Sequence, residues 1–258
     1  MPKPFWMMVK QQGLLLWRYP LNMIANFVMV LVMVLVVTLL VSMFTQAGQA
    51  KDMALYGFAV YLFLNHTIWT IGIGVYKDRV AGALSTFYLS PTSRFWHLAA
   101  RATVALLWTT IAAAIGLVVA QFFVGRLQVQ QAWLVLGILS FTISGLVGFG
   151  FAIAGLALLF GESIEIIANL IEFGLIGLCA LFFPFSILPP ALLAVSRLIP
   201  FSYGIDALRS VALGLPQPEL LPLNLELVIV VVFGLLSPLI GYALYHLCET
   251  KMRRQGLL

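Results

Sequence analysis

The sequence predicts an all-α membrane protein with six transmembrane helices, and three observations predict it. Hydrophobic residues fill 62% of the 258 positions and charged residues only 9%, against about a quarter charged in ordinary soluble domains. Six apolar segments are long enough to cross about 30 Å of hydrocarbon as helices. The lysines and arginines are distributed unevenly among the connections. A soluble fold of this length could not cover so much apolar surface, so residues 1–258 read as a single transmembrane domain.

The first twenty residues read as an N-terminal interfacial helix. Lys3, Lys10 and Arg18 share a face, while Phe5, Trp6, Met8, Val9, Leu15, Leu16 and Trp17 supply apolar and aromatic anchors around it. Pro20 ends the helix. No small-residue cleavage site follows a short apolar core, so no removable signal peptide is expected. The segment reads either as a flanking anchor that sets topology or as an elbow that frames a partner's docking site.

The spans are placed near 22–44, 54–76, 98–124, 133–160, 164–184 and 226–248. Between the last two lies a connection whose apolar runs are too short to span and are broken by Pro189, Pro190 and Pro200. It predicts short helices at about 185–215 that lie in the outer interface or dip into it. With the N-terminus cytoplasmic, Lys3, Lys10, Arg18, Lys77, Arg79, Arg94, Arg101, Lys251, Arg253 and Arg254 fall inside, and Lys51, Arg126, Arg197 and Arg209 outside. That bias places both termini in the cytoplasm of a multi-pass plasma-membrane protein.

Several function classes find no support. The net charge of +5 is spread over short connections and termini, which is no nucleic-acid signal. Cys179 and Cys248 sit in or near different spans and suggest no disulfide framework, zinc site or haem motif. There is no GxxxxGK[ST] loop, so the chain is not itself a P-loop ATPase, and no HExxH or GxSxG motif. No internal repeat of the kind common in secondary transporters is visible.

Polar residues inside the spans mark a candidate intramembrane site. Glu162, Glu165, Asn169 and Glu172 step by three, four and three residues and form one helical stripe. A carboxylate in hydrocarbon is costly, so Glu172 is a functional candidate. Asn65 and His66 fall near the middle of the second span. These four residues (Asn65, His66, Asn169 and Glu172) either form structural hydrogen bonds between spans or subunits, or line a polar or substrate path. Small residues from Ser144 to Gly155 predict close helix packing in the fourth span. Aromatics near span ends, Trp69 among them, read as belt residues.

The segment after the second span is basic and amphipathic and ends at Ser90-Pro91. Val80, Leu84 and Phe87 or Tyr88 recur at helical spacing, the pattern of a helix that docks in a partner's groove. A charged connecting loop that obeys the positive-inside rule is the other reading.

Three stretches together resemble the membrane subunit of ABC exporters of the second type, a permease family that includes drug, lipid and polysaccharide exporters. The first is Leu16-Trp17-Arg18-Tyr19-Pro20, similar to the family's interfacial elbow. The second runs from Asp78 to Pro91 and resembles the coupling-helix signature, with Gly82, Leu84, Ser90 and Pro91 matching and Ala83 and Ser85 replacing the usual Thr and Glu. The third, Phe182-Phe183-Pro184 through Leu188-Pro189 and then Pro200 to Arg209, is similar to the outer re-entrant segment.

The resemblance implies a unit of two permease chains, identical or different, with two ATP-binding subunits that carry ATP and magnesium. This chain would hold no cofactor or metal and would perform no catalysis. A coupling helix at about 77–91 would dock on the ATPase through Asp78, Arg79, Gly82, Leu84, Phe87, Tyr88 and Pro91. The absence of a charged cavity in the spans favours a hydrophobic or amphipathic cargo, a drug, lipid or lipid-linked glycan. The alternative is an ion- or proton-coupled carrier that works without an ATPase and uses Glu172 and His66.

Overall fold

In the computed structural model, residues 3–18, 28–29, 32–33, 36, 48–82, 94–124 and 129–254 are described. The expected first span near 22–44 lies mostly outside them. Every regular element among the described residues is helical. Among the described residues four stretches are apolar and long enough to cross a membrane, Asp52–Val80, Phe95–Val119, Ala132–Leu178 and Leu223–Arg254, or five if the bent pair Pro190–Ser196 and Pro200–Leu213 is one span.

Chain order gives α1 (Lys3–Arg18), then α2 (Gly48–His66), which passes through a π-helical stretch (Thr67–Ile73) into α3 (Gly74–Val80). Next come α4 (Arg94–Val124), α5 (Ala132–Phe160) and α6 (Ile164–Leu178), with a 3-10 turn, Gly161–Ser163, between the last two. Thus Ala132–Leu178 covers the expected span 133–160 and the first part of the one expected at 164–184. The second ends earlier than expected, because the backbone leaves the helix at Cys179 and Ala180 takes a φ of 48°. At 1.5 Å per residue its 15 residues reach about 22 Å, less than a full hydrocarbon thickness.

Helices α7 (Pro190–Ser196) and α8 (Pro200–Leu213) meet at 98°. Each begins with proline at a first-turn position, where its fixed φ suits the helix and its missing N–H costs nothing. Residues 201–213 of α8 are all buried, against α2, α5 and the long last helix α9 (Leu223–Arg254). Arg209 explains the docking. Its guanidinium donates to the carbonyls of Met53 at 3.1 Å, Ala180 at 2.8 Å, Phe183 at 3.0 Å and Leu181. It therefore serves the free carbonyls just beyond α6 and ties them to the start of α2.

The small residues of α5 find their partner in α9. Ser144 Oγ donates to the Gly234 carbonyl and Ser237 Oγ to the Gly145 carbonyl, each at 2.7 Å. A Cβ on Gly241 would stand 2.7 Å from the carbonyl carbon of Gly148. Without side chains at these two positions the backbones touch, which is how helices associate where lipid offers no hydrophobic drive. The opposite face of α9, with Val228, Leu235 and Leu239, is exposed and apolar, as lipid contact requires. α1 lies on α4, with Phe5 5.3 Å from the Trp96 ring and Trp6 exposed.

Candidate functional site

Two polar clusters interrupt the apolar bundle. The first stands where the second span ends. Asp78 pairs with Arg101, which comes from the first turns of α4. Arg101 Nη1 also donates to the Thr70 carbonyl in the π-helical stretch at 3.2 Å, and His97, one turn earlier on α4, has Nε2 3.9 Å from Asp78. Arg79 Nη1 donates to the Leu158 carbonyl near the end of α5 at 3.0 Å. Asp78 and Arg79 are thus engaged with neighbouring helices.

Gly82 closes this corner. Its N–H donates to the Arg79 carbonyl at 3.0 Å and its φ is 71°, a left-handed value that glycine adopts without strain. Leu84, Phe87, Tyr88 and Pro91 lie outside the described residues.

The second cluster is inside the bundle. Glu172 is 4% exposed. Its Oε1 accepts from Asn65 Nδ2 and its Oε2 from Trp69 Nε1, both at 2.7 Å. The Tyr61 hydroxyl stands beside the same carboxylate and Asn65. Tyr61, Asn65 and Trp69 are spaced i, i+4 and i+8 and fall on one side of the second span, with the π-helical stretch beginning just before Trp69. π-turns of this kind are rare and concentrate at functional sites.

Tyr61, Leu62, Asn65, His66 and Trp69 line a cavity of about 340 Å³, completed by Met29 and Met33. His66 is buried in its wall.

Glu172 and Asn65 therefore meet, and His66 lines the same cavity. Asn169 does not join them. It is exposed, and its Nδ2 donates to the Glu165 carbonyl on its own helix at 2.9 Å. The predicted stripe divides because the buried face of α6 runs through Ile164, Ala168 and Glu172, which leaves Glu165 and Asn169 on the exposed side. Sequence reasoning missed Trp69, taken for a belt residue, Arg101, counted among the cytoplasmic basic residues, and His97, which it did not single out. The i, i+4, i+8 spacing of Tyr61, Asn65 and Trp69 was a legible signal. So was an arginine inside an apolar run.

No group of three metal-ligating side chains occurs among the described residues. No curated protein matches the chain. The family model described as ABC-2 type transporter matches residues 3–213, which takes in α1, the second span with its polar corner, the Glu172 cluster and the bent α7–α8 pair. This chain belongs to the ABC-2 type transporter family and is a membrane component of an ABC transporter.

Proposed function

We propose that the chain is the permease subunit of an ATP-driven exporter that moves a hydrophobic or amphipathic substrate outward across the plasma membrane. It has six spans in a single transmembrane domain, with the first near 22–44 and both termini cytoplasmic. Two such chains assemble with two ATP-binding subunits, and all ATP chemistry takes place on those subunits. Family membership over residues 3–213 is the observation that carries this reading.

The coupling element is the segment at about 77–91. Its anchoring supports the role: Asp78 is held by Arg101 and Arg79 by the end of α5, so force on the segment reaches three helices directly. These engagements favour Asp78 and Arg79 as residues that orient the element. Leu84, Phe87 and Tyr88 then supply the apolar contact with the ATPase groove, while Gly82 and Pro91 bound the helix. Closure of the nucleotide-bound ATPase dimer shifts the population from inward- to outward-facing arrangements. Asn65, His66 and Glu172 belong to the substrate path, and Asn169 stands outside its wall.

Co-purification with ABC ATP-binding subunits from the same genome tests the proposal. A stable complex with altered ATPase activity is expected, and Leu84→Asp should abolish the complex while the chain still inserts. Retention of complex and transport by that variant would rule out the docking role.

A further inference from the structure

We infer that the cavity beside Glu172 is a binding site for lipophilic cations. The inference rests on the permease reading for its purpose but on the cavity alone for its chemistry. Both Glu172 oxygens accept hydrogen bonds. The donors, the Asn65 amide and the Trp69 indole, are neutral. They satisfy the oxygens but bring no positive charge to the acid.

No basic side chain forms an ion pair with Glu172 among the described residues. Two basic side chains stand at this wall: His66 lines it, and the Lys77 ammonium stands 6.0 Å from the Trp69 centroid. Lys77 is exposed, so water screens its charge far more than that of the buried carboxylate.

The wall between Glu172 and the cavity suits the same ligand. Asn65 donates to Glu172 and itself lines the cavity, where it stands beside the Tyr61 hydroxyl. The Tyr61 and Trp69 side chains put aromatic surface on the cavity wall, the kind of surface that attracts organic cations. Met29, Met33 and Leu62 supply adaptable apolar contact. A volume near 340 Å³ lies within the range of small-molecule sites. A neutral lipid tail would gain only the apolar part of this lining. An anion would meet the carboxylate's field.

Tetraphenylphosphonium and tetraphenylborate are near-isosteric ions of opposite charge, and they test the inference on the purified chain in detergent, without nucleotide or ATPase. Equilibrium binding should show saturable uptake of the phosphonium. Glu172→Gln, which keeps the shape and removes the charge, should weaken it at least about ten-fold, the order expected for a unit charge roughly 10 Å away at an effective dielectric near 20. Borate binding should be unchanged or tighter in that variant.

His66→Arg adds a positive charge to the wall without touching the Glu172 hydrogen bonds, and should likewise weaken the phosphonium. It decides the matter if Glu172→Gln fails to fold. Equal binding of the two ions by the wild type, or unaltered phosphonium affinity in the folded variants, would overturn the inference. Because no ATPase enters the assay, these outcomes are separate from the fate of the permease reading.

Discussion

Asp78 and Arg101 form an ion pair that joins the end of the second span to the start of the next helix, and the same guanidinium reaches back to the Thr70 carbonyl. Arg101 is buried to 7% exposure. The pair therefore links the proposed coupling segment to the π-helical stretch that carries Trp69, and through Trp69 to Glu172.

Removing only one partner should be worse than removing both. Asp78→Ala leaves a buried guanidinium without its anion, a loss of about 3–5 kcal/mol, whereas an apolar replacement of the whole pair is often near neutral. Thermal unfolding in detergent should rank Asp78→Ala below the Asp78→Ala/Arg101→Met double variant. The reverse order would show that the pair does not lock this corner.

Arg209 should tolerate no conservative exchange. Four carbonyls from two parts of the chain converge on its planar fork, and a lysine ammonium has neither the donors nor the reach to serve them all. Arg209→Lys should cost at least about 2 kcal/mol through carbonyls left unsatisfied. Limited proteolysis should then cut within 179–222 much faster than in the wild type. Wild-type protection would contradict the tethering role.

The α5–α9 contact predicts a graded steric series. Gly241→Ala sets a methyl against the Gly148 backbone and should destabilise by about 1–3 kcal/mol, and Gly241→Leu by more. Gly137 also lies on α5, but a Cβ there meets nothing within 4 Å. Gly137→Ala should be neutral or slightly stabilising, because alanine is the better helix former. Equal melting temperatures for Gly137→Ala and Gly241→Ala would remove the close-packing argument.

Much of the fold was legible in the sequence. Length and hydropathy located the spans over 54–76, 98–124, 133–160 and 226–248 inside helices that the structure contains. Pro190 and Pro200 marked the starts of the two short helices. The small residues from Ser144 to Gly155 announced a close contact. The sequence did not say that α9 was the partner, since α9 is apolar nearly all round and favours no one face. Nor did it show that α8 is buried, because that depends on Arg209 meeting carbonyls from segments 26 to 156 residues away.

The candidate site divides in the same way. Asn65, His66 and Glu172 were singled out because polar groups in hydrocarbon are costly wherever they occur, a local fact that needs no fold. Membrane class and span positions are local for the same reason: the bilayer imposes a length and an apolar composition on each segment separately. Which polar groups meet is not local. Glu172 finds Asn65 and Trp69 across more than a hundred residues, and Asn169, three positions before it, finds only its own helix. That outcome was decided by how far each helix is rotated about its axis, which packing against its neighbours sets and hydropathy does not.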